Sequence, residues 1–188
     1  IGKPGEDIYA VRFFGDRGYI VTFERIDPLY VIDLANPSAP SVVGALEIPG
    51  FSNYLHPLDN GYLLGIGQEV SINNIPEDGR DVMIQPVTQE GVKISLFDVS
   101  DPSHPIEVNS VVKPDSYTPV EYDYRALTVL NDNGSYKFAM PIESWNRPSG
   151  PSVGVWSSSY SLMLLEVDTT TSSPELLQRG ELYPTLIG

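Results

Sequence analysis

The sequence predicts an all-β fold made from one four-stranded antiparallel module used about three times. Three observations carry that expectation. The string YVIDLANPSAP at 30–40 returns as SLFDVSDPSHP at 95–105, with a blurred third copy, MLLEVDTTTSSP, at 163–174. A hairpin signal precedes each copy: GDRGYIVTF at 15–23, LDNGYLLGIG at 58–67 and NDNGSYKFAM at 131–140. Seventeen Pro and 16 Gly punctuate short apolar runs rich in Val, Tyr and Phe, and no window carries a convincing helical period.

The spacing of these markers sets the architecture. The acids Asp33, Asp98 and Glu166 align, as do the turn glycines Gly18, Gly61 and Gly134. Insertions of 22 and 17 residues separate glycine from acid in the second and third units, and 8 extra residues precede the third glycine. With these set aside, both acid-to-acid distances become 43 residues. A beat of roughly 40 to 45 residues carrying four strands is the size of a propeller blade. The chain therefore reads as a β-propeller portion of about three four-stranded antiparallel blades.

In the first blade the strands are expected near 8–15, 18–24, 28–35 and 41–48. The Asp-Asn-Gly signals supply the positive φ that tight hairpins need. Leu29, Tyr30, Val31 and Ile32 are apolar at successive positions, as a strand covered on both faces should be. The second blade places strands near 52–58, 62–68, 92–99 and 106–112, and the third near 123–130, 136–142, 160–168 and 175–183. The repeated acid reads as a cap on backbone donors in the proline turn that follows, in preference to a catalytic group.

The whole of 1–188 reads as one propeller fragment, with blades near 6–50, 51–114 and 120–184. Three blades are fewer than the roughly 4 to 8 that close a ring. The ring is thus expected to be incomplete, or closed by another chain: the remaining blades come from the rest of a longer chain or from a second copy. The start at Ile1, without Met or a signal peptide, and the stop at LYPTLIG also read as an excised or processed piece.

The repeated Asp-(Leu/Val)-x-(Asn/Asp)-Pro-Ser-x-Pro, led by YVID and SLFD, resembles the LVIVD-type repeat of bacterial and archaeal surface propellers. The longer run from GDRGYIVTF to LLGIGQE is similar to secreted prokaryotic proteins with a C-terminal β-propeller distantly related to WD-type repeats. The likeness is strongest over 6–112. It implies a propeller and export to the cell surface or beyond, and it brings no catalytic residues with it.

Charge and composition narrow the function classes. The formal net charge is -14, from 25 acidic and 11 basic residues, which repels a phosphate backbone and argues against nucleic acid as a partner. Cysteine is absent, so neither a disulfide framework nor a thiolate metal site is available. No run approaches the ~20 apolar residues of a membrane span, so no membrane insertion is expected. There is no Gly-x-Ser-x-Gly, no Walker loop and no Gly-x-Gly-x-x-Gly.

The insertions point to a site. In a blade of strands a to d, the b–c loops near 69–90 and 143–159 and the d–a linker near 114–122 all emerge on one face. Insertions gathered on one face of a repeat protein often mark its binding surface. They bring Tyr117, Tyr122, Trp145 and Trp156 as aromatic surfaces, with Arg80 and Arg147 as polar partners. The plainer alternative for each tryptophan is packing against its own loop. No cofactor is expected. Glu77, Asp78 and Asp81 in PEDGRD offer oxygens of the kind calcium takes, but they lack EF-hand spacing and read better as a solvated turn. His56 and His104 have no third ligand near them in sequence. The preferred function is an exported or cell-surface module that presents its loop-rich face to a protein or glycan. The alternative is a polysaccharide or lactone hydrolase or lyase with an acidic, calcium-dependent site, for which Glu121 and Asp123 are the paired acids at hand.

Overall fold

A computed structural model describes residues 7–23, 27–71, 88–146 and 157–184. Three antiparallel sheets follow one another along the chain. The first holds β1 (Asp7–Phe14), β2 (Arg17–Phe23), β3 (Asp27–Asp33) and β4 (Ser41–Ile48). The second holds β5 (Phe51–Pro57), β6 (Tyr62–Ser71), β7 (Thr88–Asp98) and β8 (Ile106–Pro114). The third holds β10 (Thr128–Asp132), β11 (Ser135–Asn146), β12 (Ser157–Asp168) and β13 (Leu176–Leu182), with the short β9 (Ser116–Tyr117) added beside β11. Apart from β9, the strands in each sheet run in sequence order, each antiparallel to the next. Among the described residues the three sheets do not close into a full ring, and no helix is long and apolar enough to cross a membrane.

Period-two alternation in the central strands explains how the sheets stack. On one side of the second sheet, Leu63 and Phe97 meet Tyr19, Val21, Leu29 and Val31 of the first. On its other side, Leu64, Ile66, Ile94 and Leu96 meet Phe138, Met140, Met163 and Leu165 of the third. The middle blade is buried on both faces, which is why β7 is buried continuously from Gly91 to Phe97. Polar clips reinforce the second contact. Asn109 of β8 donates Nδ2 to the Leu176 carbonyl and accepts the Leu176 N–H, both at 2.9 Å. Lys113 reaches both oxygens of Glu181, at 2.8 and 2.9 Å.

The repeated turn is a pair of consecutive side-chain caps. Asp98 accepts from the Ser100 N–H and hydroxyl, and Asp101 accepts from the Ser103 N–H and hydroxyl. In the first blade Asp33 caps Ala35 and Asn36 caps Ser38. In the third the capping acid is Asp168, which accepts from the Thr170 N–H and hydroxyl, while Glu166 instead pairs with Arg179. The first hairpin differs from expectation in the same way. Gly15, with φ of 59°, and Asp16 make the turn, and the Asp16 carbonyl takes the place that Gly61 and Gly134 hold in the other blades. Aligned on these positions the beat is about 45 residues, still one blade in length.

The first strand of the third blade is also shorter than expected. Residues 119–121 and 124–126 form two single-turn 3-10 segments, and β10 begins only at Thr128.

Candidate functional site

The insertions in the second and third blades are partly strand. β6 and β7 stay paired out to Ser71 and Thr88, and β11 and β12 out to Asn146 and Ser157. The outermost strands stop short, β8 at the Gly91–Pro114 pair and β13 at the Leu162–Leu182 pair. Two hairpin arms therefore project beyond their sheets.

The linker between the blades ties these arms together. Asp115, held at a φ of 48°, donates its N–H to the Glu90 carbonyl of the first arm. Its own carbonyl accepts the Trp145 N–H of the second, and both bonds are 2.8 Å long. The next two residues form β9, pairing Ser116 with Ser144 and Tyr117 with Glu143. Thr118 then donates its hydroxyl to the Pro141 carbonyl at 2.7 Å and caps the 3-10 turn at 119–121, with Glu121 closing the capping box. Three separate insertions are thus locked into one surface by backbone bonds.

Aromatic rings line that surface. Tyr117 stacks on Trp145, with centroids 5.6 Å apart and planes 20° from parallel. Glu143 lies between two tyrosines in the ladder, opposite Tyr117 on one side and Tyr160 on the other, and the Tyr160 hydroxyl donates to its Oε1 at 3.1 Å. Hydrogen bonds with Tyr122, then with Glu143, push the Tyr117 phenol up to about 12. Tyr122 is 74% exposed beside it. A cavity of about 150 Å³ opens between the arms, lined by Gln68, Gln89, Gly91, Ser116, Tyr117 and Trp145. Under it sits a half-buried carboxylate. Glu121 accepts from Gln68 Nε2 at 2.5 Å, from Asn53 Nδ2 at 3.2 Å and from the Thr118 N–H at 3.3 Å. Burial pushes its carboxyl above the ordinary glutamate value, against the pull of those donors.

Of the residues expected from sequence, Tyr117, Tyr122 and Trp145 come together here, and Arg80, Arg147 and Trp156 lie outside the described residues. Trp145 is not folded away: it remains 40% exposed while stacked. Sequence reasoning missed Glu143, Tyr160, Gln68 and Gln89, whose proximity depends on a strand register that no local motif announces.

The other candidates separate. Among the described residues Glu121 and Asp123 share no partner: Asp123 is engaged by Arg125 at 2.9 and 3.1 Å, which holds its carboxyl low. Glu77, Asp78 and Asp81 lie outside the described residues. Among the described residues, no group of three or more His, Asp or Glu side chains is placed to hold a metal ion. His56 takes a hydrogen bond with the Tyr54 hydroxyl at 3.1 Å and meets the edge of Phe138; burial, then the nearby Arg12, lowers its pKa. His104 is exposed in the second proline turn, within hydrogen-bond reach of Asp101 and Ser103.

Comparison with known proteins places the chain. A family model described as "Beta propeller domain" matches residues 1–177. An uncharacterized protein of Methanocaldococcus jannaschii is 45% identical over 125 residues, covering 66% of this chain and 17% of its own length. An uncharacterized protein of Archaeoglobus fulgidus is 40% identical over 131 residues, covering 70% of this chain and 18% of its own. The chain spans less than a fifth of either archaeal relative. Among solved structures, a mutant of the Synechocystis apocarotenoid oxygenase aligns at a TM-score of 0.42 and 14% identity, over 86% of this chain and 34% of that one.

Proposed function

The chain belongs to the Beta propeller domain family, and from that premise we propose that it is a binding scaffold whose arm-and-linker face receives a protein or glycan. The observation that carries this reading is the double tie at Asp115. One residue fixes both arms, and the fixed arms hold the Tyr117–Trp145 stack at the rim of a cavity. Rigid, partly exposed aromatics contribute much contact area for little loss of conformational entropy on binding. A fold built from packed blades suits that scaffold role. The exported, cell-surface setting rests on the resemblance of the repeated proline turn to surface propellers.

The two terminal blades bear on the partners. Ile8, Val11 and Phe13 are exposed on the first sheet, and Leu130, Leu162 and Leu182 on the third. Within the chain, the middle blade buries the equivalent faces against its two neighbours. The proposed occupants are further blades, from the rest of a longer protein or from a second copy. Light scattering on this chain separates the two: a monodisperse monomer argues against the second copy.

The binding reading is tested on glycan and peptide arrays, probing the chain beside its Tyr117→Ala/Trp145→Ala double variant. The expected result is loss of signal by a variant that melts at the wild-type temperature. Undiminished binding by the folded variant would remove this face from consideration.

A further inference from the structure

Resting on the reading of this face as a binding surface, we propose that its aromatic wall and Glu143 take a cationic side chain, a Lys or Arg carried on a basic protein segment. Ring faces carry negative electrostatic potential and attract ammonium and guanidinium groups. Tyr117 and Trp145 form such a wall, and Tyr122 and Tyr160, both exposed, stand near it through their hydrogen-bonded neighbours.

The charge pattern points the same way. Asp33, Asp123, Glu166 and Glu181 each hold a Lys or Arg within the chain. Glu143 does not: among the described residues it accepts from the Tyr160 hydroxyl and stands opposite Tyr117 in the ladder. Glu90, which lines the cavity beside Tyr117 and Trp145, engages the Ser71 hydroxyl at 2.5 Å and forms no ion pair among the described residues. Two carboxylates served only by neutral donors thus flank stacked rings, on a chain of net charge -14. Among the described residues, no cation of the chain answers that charge where the aromatic surface is open.

Size selects a side chain over a larger ligand. The cavity, at about 150 Å³, lies below the roughly 300–1,000 Å³ of small-molecule pockets. A lysine or arginine tip can enter it and keep its alkyl stem against the indole. A neutral saccharide would use the ring faces and leave the carboxylates without a counter-charge.

The test titrates the chain with an acetylated, amidated pentalysine peptide and, in parallel, with neutral cellohexaose, both by calorimetry at low and high salt. Peptide binding is expected, weakened by salt. Trp145→Ala is expected to weaken it about 5- to 10-fold and Glu143→Gln about 2- to 5-fold, the ranges of a cation–π contact and of a single exposed charge pair. Trp145→Phe should retain part of it, which separates loss of the ring from loss of folding. Asp132→Asn, a neutralisation at the opposite end of the third sheet, should change affinity less than about 2-fold. The proposal is overturned if Asp132→Asn matches Glu143→Gln, because a diffuse acidic field then explains the binding. It is overturned equally if the folded Trp145→Ala variant binds as wild type, or if the peptide does not bind. Cellohexaose binding that depends on Trp145, without peptide binding, rejects the cationic ligand and leaves the binding-face reading intact. Silence from both probes rejects the cationic ligand alone, and the arrays then decide the broader reading.

Discussion

Gln68 donates its Nε2 hydrogen to Glu121 across 2.5 Å, joining the base of the first arm to the linker that enters the third blade. Among the described residues every donor to Glu121 is neutral, and the carboxyl is partly buried. Its folded pKa is therefore raised above the unfolded value. A carboxyl with a raised folded pKa favours the native state most below its unfolded pKa, and that advantage disappears as pH rises through the folded pKa. In its ionised form the group is a burden on the fold. Glu121→Gln removes the burden and keeps an acceptor for Gln68, and its new amide hydrogens can meet Asn53 Oδ1, which has no hydrogen-bond partner among the described residues. The variant should gain melting temperature relative to wild type at pH 8, and the gain should shrink towards pH 4. A difference that stays flat across that range would show that Glu121 is not held against its ionised form.

Lys93 tests the opposite case, a buried cation that is well served. It is 7% exposed, donates to the Pro49 carbonyl at 2.8 Å, and lies 3.3 Å from Glu69 and 3.4 Å from Glu107. Removing the cation leaves two partly buried carboxylates facing each other. Lys93→Met should cost about 3 kcal/mol, the lower end for a broken buried pair, because both acids keep some contact with water. Adding Glu69→Gln and Glu107→Gln to that variant should recover much of the loss in urea denaturation. Failure of the triple variant to recover would assign the cost to packing of the lysine stem.

Much of the fold is written in short-range signals, and what the sequence obscures is obscured for one reason. The third capping acid sits at Asp168, two residues after Glu166, and the first turn sits at Asp16, two residues before Gly18. A shift of two along a strand leaves every side chain on its original face. The apolar pattern is therefore indifferent to it, and only the turn bonds reveal the register. The extended arms escaped notice for a related cause. Ser71, Thr88 and Ser157–Ser159 are polar on both faces because no neighbouring blade covers them, so they carry no alternation. The site was legible as a group of aromatics on one face. Its carboxylate, Glu143, was not, because only the pairing to β9 brings it beside Tyr117.

Asn109 offers a third prediction. Its amide satisfies both backbone groups of Leu176, as another strand would, and fastens the second blade to the third. Asn109→Ala leaves the N–H and carbonyl of a buried residue without these partners and should cost about 2–3 kcal/mol. Asn109→Asp retains the acceptor but sets a carboxylate against the Leu176 carbonyl. At neutral pH it should be at least as damaging as alanine. In mild acid the introduced carboxyl takes up a proton and regains a donor, so the deficit of this variant should narrow below pH 4 relative to the alanine variant. Parallel melting curves for the two variants, with no such narrowing, would contradict the two-way bond.

The contact between the first and second blades turns on Gly44. It lies on β4, where the proline turn of the next blade comes down upon it: a methyl group there would meet the Pro102 carbonyl oxygen and the ring of Pro105. Both obstacles are rigid, one a backbone carbonyl and the other a proline in a turn capped by Asp101 and its neighbours. Overpacking of this kind typically costs about 1–3 kcal/mol. Gly44→Ala should therefore lower stability by that order without altering the Tyr117–Trp145 face, which lies at the other inter-blade contact. Combining it with Pro102→Gly and Pro105→Ala, which loosen the turn, should return part of the loss. If Gly44→Ala alone leaves the melting temperature unchanged, the turn of the second blade does not seat on the first, and the packing between those blades rests on their apolar faces alone.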